Sequence, residues 1–270
     1  MGIARRLTAD ASSFDATTAA RAAGTQGWRA PELLESDNSN PRLTRAVDVF
    51  ALGCVLHFLL TGGEHPFGGR FSRDANIMKG IADLSKVAHM PEAVHLLRQM
   101  LSHDPKGRPD MASVRRHPLL WTPAEQLAFL CAASDHVDGL KAGSPEQRAL
   151  ERALERALGS ALRGGWDKHV DAQMLAEAER WRRYNHASPR DLLRFIRNRV
   201  HHFDELDDRA KGVLGGRGGA GVLRYFRQRF PSLVLDVYAF AAGEAMRSEA
   251  AAKRYAQWIG PSQCVAMSSS

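Results

Sequence analysis

The stretch from Ser188 to Phe203 constrains this chain more than any other, because its start, its period and its buried face are all written in residue types. Ser188 and Asp191 form an S-x-x-D capping signal with Pro189 at the first helical position, so a helix begins there. At 100° per residue, Leu192, Leu193, Ile196, Val200 and Phe203 fall within about a 100° stripe that must face a core. Asp191, Asn198 and His202 project together on the other side, with Asn198 and His202 one turn apart and Arg197 beside them. Such residues are common on solvated helices, so spacing alone leaves an ordinary surface face as an equal reading. Charge tilts the balance. From Trp181 to Phe203 there are six arginines, Arg182, Arg183, Arg190, Arg194, Arg197 and Arg199, against one acid, Asp191, which is five of the chain's seven net positive charges. Such concentration suits a polyanion. No long apolar or membrane-surface helix accompanies it, so RNA or another phosphate ligand is favoured over lipid.

At 270 residues, 44% hydrophobic and 25% charged, the chain can build one large or two ordinary domains and is not a disordered tail. Cys54, Cys131 and Cys264 are far apart, odd in number and mostly set in apolar helical pattern. That argues against a disulfide framework and a zinc site, and for a reducing compartment. The N-terminus has no apolar signal core, and no stretch approaches the ~18 uninterrupted apolar residues of a membrane span, so the chain as given reads as soluble. Met1-Gly2 opens like a myristoylation site, but Arg6 stands where Ser or Thr is wanted.

The rest of the chain reads as almost entirely helical. Ala9 to Ala23 has no helical or strand period and forms a loop carrying the hydroxyls of Ser12, Ser13, Thr17 and Thr18. Ala46 to Leu60 is apolar nearly all round, the mark of a helix buried deep in a core. Shorter helices are expected at Ala75 to Leu84, Glu92 to Leu101 and Met111 to Arg116. After the break at His117-Pro118-Leu119-Leu120-Trp121, Thr122 with Glu125 or Gln126 caps a helix through Cys131 to Val137, and the domain junction is placed there. Ala149 to Leu158 is a packing helix, and Gly212 to Gly221 a flexible loop in which Arg217 is at most a weak phosphate contact. Tyr225 to Phe240 is a helix pair interrupted at Pro231, and the end of the chain is frayed.

Gly24-Thr25-Gln26-Gly27-Trp28-Arg29-Ala30-Pro31-Glu32 resembles the end of a protein-kinase activation segment, with Ala30-Pro31-Glu32 as its A-P-E signature. In order after it, Asp48-Val49-Phe50-Ala51-Leu52-Gly53 resembles the start of the kinase F helix. Arg108, in Asp104-Pro105-Lys106-Gly107-Arg108-Pro109, resembles the arginine that pairs with the A-P-E glutamate, which makes Glu32 and Arg108 an expected buried ion pair. The opening Met1 to Arg6 resembles the residues directly after the metal-binding aspartate in a D-M-G variant of the D-F-G motif. The Gly-rich loop, the phosphate-pairing lysine, the catalytic-loop residues and the metal aspartate have no counterpart in the sequence. No kinase activity is expected from this chain, nor is binding of the ATP and magnesium that serve the full-length family.

His117-Pro118-Leu119-Leu120-Trp121, Glu125-Gln126-Leu127, Ser134-Asp135, Trp166-Asp167, the Tyr184 to Phe203 block and Phe230-Pro231 then resemble, in order, the nuclease part of the inositol-requiring-enzyme family. These are the kinase/endoribonucleases of the unfolded protein response, related to ribonuclease L, and the Met-Gly start points to the plant or algal type. The resemblance implies an all-α chain: a truncated kinase C-lobe over 1–121, a kinase-extension nuclease (KEN) domain over 122–260 and a flexible tail over 261–270.

It also implies roles. His202 is the general acid and Tyr184 the general-base candidate, although a reference pKa of about 10 makes a phenol a poor base unless Arg182, Arg183 or Arg197 stabilises its anion. Arg197 and Asn198 hold the scissile phosphate, Arg194 and Arg183 bind neighbouring RNA phosphates, and His201 packs or hydrogen-bonds locally. The reaction needs no metal or cofactor, because RNA supplies its own 2′-hydroxyl and yields a 2′,3′-cyclic phosphate. The cluster His201, His202, Asp204, Glu205, Asp207 and Asp208 is too scattered around a helix end to bind a metal. The implied substrate is stem-loop RNA, cleaved by paired copies, in mRNA processing on the cytosolic side of the endoplasmic reticulum. The alternatives are a catalytically silent dimerisation or regulatory module that pairs with a full-length relative, or a fragment of a full-length kinase/endoribonuclease.

Overall fold

A computed structural model of the chain describes residues 13–15, 25–35, 42–141, 143–159, 162, 164–216 and 219–260. The chain divides into two compact units, Met1–Arg115 and Arg116–Ser270. Arg116–Trp121 therefore belong with the second unit, where Trp121 packs edge-on against Phe129 and Tyr238.

The first unit holds helices Pro31–Leu34, Arg45–Leu60, Arg73–Met78, Pro91–Met100 and Met111–Arg115. A short antiparallel pair, Ser13–Asp15 with Arg42–Thr44, adds the only β element among the described residues. Its strand at Ser13–Asp15 falls in the stretch expected to be an irregular loop, because its partner lies remote in sequence and three residues show no period. Ser12, Thr17, Thr18 and Met1-Gly2 lie outside the described residues. Helix Arg45–Leu60 is not buried all round. Val49, Phe50, Gly53, Cys54 and His57 turn inward, toward helix Pro91–Met100. Leu52, Val55 and Leu59 stay exposed, because no described element covers that side. The helix expected over Ala75 to Leu84 ends at Met78, where Gly80 takes φ +66° and turns the chain.

The second unit is a helical bundle around one core, built from helices Pro123–Asp138, Pro145–Leu158, Ala172–Glu179, Pro189–His201, Asp208–Val213, Gly219–Arg229, Leu233–Arg247 and Glu249–Tyr255. Local signals account for most of the starts. Thr122 and Glu125 form a reciprocal capping box, Thr122 N donating to the Glu125 carboxylate at 2.7 Å and Glu125 N to the Thr122 hydroxyl at 3.2 Å. Ser144 caps Pro145–Leu158, whose Leu150, Leu154 and Leu158 form the buried stripe. Pro231 separates Gly219–Arg229 from Leu233–Arg247. Among its described residues the glycine-rich stretch is a loop only in part: one helix runs through Gly212 to Val213, Leu214 to Gly216 turn, and Gly219 and Gly221 lie in the first turn of the next helix, Gly221 passing so close to the Leu214 and Gly215 carbonyls that a Cβ would clash. Arg217 and Cys264 lie outside the described residues. Cys54 and Cys131 are buried free thiols, pushed up by burial to about 12 and about 11 respectively, so both stay protonated and unreactive. No helix among the described residues is long and apolar enough to cross a membrane.

Candidate active site

Helix Pro189–His201 starts where its cap signal puts it. The Ser188 hydroxyl accepts from Asp191 N at 3.4 Å, while the Asp191 carboxylate accepts from Asn185 N at 2.7 Å, tying the incoming segment to the first turn. Leu192, Leu193, Phe195 and Ile196 are fully buried against helices Pro123–Asp138, Pro145–Leu158 and Gly219–Arg229. Each such side chain contributes about 1.5–3 kcal/mol by leaving water, which makes this helix a rigid mount. It ends two residues earlier than its stripe implies. His202 is the C-cap, its N–H donating to Asn198 O at 3.0 Å, and Phe203 opens a 3-10 turn.

Two of the residues expected at the site, Tyr184 and Asn198, meet. The Tyr184 hydroxyl accepts from Asn198 Nδ2 at 3.0 Å, and the phenol ring is buried edge-on against Trp166 and Phe195. His202 stands one turn beyond Asn198, exposed, with its Nδ1 held 2.9 Å from a Glu205 carboxylate oxygen. That contact places the proton on Nδ1 and sends Nε2 outward. Glu205, which in the sequence stands out only as part of an acidic cluster, thus orients the imidazole. The i,i+3 spacing of His202 and Glu205 is the signal that points to it.

The segment bearing Tyr184 is fixed from beneath. Trp166 N donates to His186 O at 3.0 Å, the Trp166 indole donates to Asn185 O at 3.3 Å, and the His186 ring meets Glu179 at 2.9 Å. Gly165 makes this approach feasible, since it takes φ +96° and a Cβ there would strike the Asp167 carboxylate.

The arginines of the helix do not form one open cationic face. Asp138 accepts from Arg190 Nε at 2.9 Å, from Arg194 Nε at 2.8 Å and from Arg194 Nη2, and lies 3.2 Å from Arg197 Nη1. Burial alone would raise the Asp138 carboxyl. The hydrogen bonds and charges of Arg194 and Arg190 outweigh it and hold the group below the usual carboxylate range. Arg190 also reaches Glu151 at 2.7 Å. Arg194, expected on an RNA phosphate, is instead buried, its three nitrogens all given to Asp138 and Asp191. Arg199 is buried too, 5.6 Å above the Phe195 ring and 3.6 Å from Glu177. Arg197 gives Nη1 to Asp135 at 2.7 Å, but Asp135 is 51% exposed and this contact is open to exchange. Arg182, Arg183 and His201 are exposed and have no partner among the described residues, so His201 does not pack locally. No group of three or more His, Cys, Asp or Glu side chains among the described residues is disposed to hold a metal ion.

In the first unit Arg108 donates to both oxygens of Glu32, at 2.7 and 2.8 Å, and to the carbonyls of Ala46, Ser102 and His103. Its side chain is fully buried, 5.0 Å from the Phe50 ring centre. This is a structural pair.

The Ribonuclease 2-5A family model matches residues 126–256, and the Protein kinase domain model matches residues 1–120. A serine/threonine-protein kinase/endoribonuclease of Arabidopsis thaliana is 43% identical over 88% of this chain and 26% of its own length. One from Oryza sativa subsp. japonica is 38% identical over 94% of the chain and 27% of its length, and one from Homo sapiens 37% identical over 96% and 27%. The chain thus spans about a quarter of the length of the curated relatives it matches.

Proposed function

Because this chain belongs to the inositol-requiring family of kinase/endoribonucleases, and spans the end of the kinase domain and the nuclease domain, we propose that it is an endoribonuclease needing no metal. The observation that carries the reading is the hydrogen bond from Asn198 to the Tyr184 hydroxyl near the end of a buried helix, whose C-cap is His202. That set matches the needs of RNA self-cleavage: a group to take the 2′-hydroxyl proton, a donor for the phosphorane and an acid for the leaving oxygen.

Tyr184 takes the proton from the 2′-hydroxyl as O2′ bonds to phosphorus. Asn198, already aimed at the phenolic oxygen, serves that oxygen or the adjacent phosphate. The bond from phosphorus to O5′ breaks, and His202 Nε2 gives that oxygen a proton, while Glu205 on Nδ1 holds the ring in place. The products are a 2′,3′-cyclic phosphate and a 5′-hydroxyl end. Arg197 supplies charge to the phosphate after leaving Asp135, an exposed ion pair worth about 0.2–1 kcal/mol and so readily exchanged. Stem-loop RNA, pairing of two copies or with a full-length relative, and mRNA processing in the unfolded protein response on the cytosolic face of the endoplasmic reticulum rest on family membership alone.

Mass analysis of the ends formed when the chain cuts a stem-loop RNA in EDTA tests the proposal. Cyclic phosphate and 5′-hydroxyl ends are expected. Dependence of cleavage on added metal, or 5′-phosphate ends, would refute it.

A further inference from the structure

Once Asp135, Asp138, Glu151, Asp191 and Glu177 are counted against Arg190, Arg194, Arg197 and Arg199, the unopposed charge of the arginine-rich stretch lies elsewhere. It lies on the turn leading into Tyr184. Arg180, Arg182 and Arg183 are all exposed or half-exposed and have no carboxylate partner among the described residues. Between the first two sits Trp181, 88% exposed, the largest apolar ring that the second unit leaves in water. An indole costs free energy in that position, and its chain neighbours are cationic rather than apolar. The turn is held firmly just beyond, by His186 on Glu179 and by Trp166 on Asn185 and His186, so its presentation is fixed.

A free π face bracketed by unpaired guanidiniums is the chemistry that recognises unpaired nucleotides, with the base stacking on the ring and the backbone phosphates meeting the cations. We propose that Trp181 is a stacking platform for an unpaired RNA base and that Arg180, Arg182 and Arg183 hold the phosphates beside it. This rests on the reading of the second unit as a ribonuclease and gives that site its preference for single-stranded loop RNA. Duplex RNA buries its base faces, so it cannot use the platform. The indole stands three residues before Tyr184 on the segment that leads into the site.

Binding of a short 2′-O-methyl oligouridine, which cannot be cleaved, tests this apart from catalysis. Trp181→Ala is expected to weaken binding about tenfold and Trp181→Phe to keep it within about threefold. An abasic strand of the same backbone should bind wild type and Trp181→Ala alike. Replacing any one of the three arginines by Gln should lower the slope of log affinity against log salt by about 0.7. Unchanged oligouridine binding by Trp181→Ala, or wild-type binding of the abasic strand as tight as that of oligouridine, overturns the proposal. So does a change in self-association with RNA binding intact, since that would place Trp181 between copies of the chain. The two readings fail separately: a wild type that binds through Trp181 but never cuts RNA sinks the ribonuclease and leaves the platform standing.

Discussion

Asp138 and Arg194 join helices Pro123–Asp138 and Pro189–His201 through two hydrogen bonds, with the carboxylate 14% and the guanidinium 7% exposed. Arg190 and Arg197 close on the same carboxylate. Asp138 is therefore the hinge-pin of the site helix, and two arginines that look like ligand contacts, Arg190 and Arg194, are structural because of it. Removing the acid strands a buried cation. Asp138→Ala should cost about 3–5 kcal/mol, read by urea unfolding, whereas Asp135→Ala should cost under about 1 kcal/mol. The same pair carries a pH signature. With the folded carboxyl held below its ordinary value, its stabilisation is complete above the ordinary carboxylate range and is lost as pH falls through the lower folded value. The acid limb of stability against pH should flatten in Asp138→Asn, and an unchanged limb would count against this assignment.

Arg197 is shared between an anchoring acid and a competing one. Asp135→Asn removes the competitor while Asp138 still locates the guanidinium. The variant should bind uncleavable RNA about twofold to fivefold more tightly. Its salt dependence should steepen by about 0.7 in slope. Weaker binding would show Asp135 to be a support for Arg197 rather than a rival of the phosphate.

His136 contributes a second pH dependence. Burial first, and Arg254 second, lower it to about 4, while its Nδ1 contacts the Tyr255 hydroxyl at 2.9 Å. Since the folded value is depressed, stability is whole above about 6.5 and declines as pH drops toward 4. His136→Gln keeps a hydrogen-bonding group without the proton uptake, so its unfolding free energy should vary less across that window. Equal slopes for the variant and wild type would contradict this.

Glu32→Ala should destabilise the first unit by about 3–5 kcal/mol, because Arg108 would remain fully buried without its anion. Amide exchange should rise in helix Arg45–Leu60, whose Ala46 carbonyl Arg108 also holds, and stay unchanged in Pro189–His201.

These cases separate what residue types disclose from what they conceal. The starts at Ser188 and Thr122 were legible because a cap is a contact between residues three apart. Glu32 and Arg108 were legible because each sits in a motif that a long-range pair demands. The meeting of Tyr184 with Asn198 came from the resemblance. The fate of the arginines was hidden, since Asp135, Asp138 and Glu151 lie 39 to 62 residues away on other helices and a local charge count cannot see them. The exposed side of helix Arg45–Leu60 was hidden as well, because composition shows that a helix is apolar but not how many neighbours it has.

The central claim is that His202 delivers the proton that frees O5′ in a reaction requiring no metal. The most direct measurement is the single-turnover cleavage rate of a stem-loop RNA in EDTA at saturating protein, wild type against His202→Ala, with binding followed in parallel. A loss of about 10²-fold or more in rate with affinity little changed is expected for His202→Ala. Cleavage by His202→Ala at the wild-type rate would contradict it.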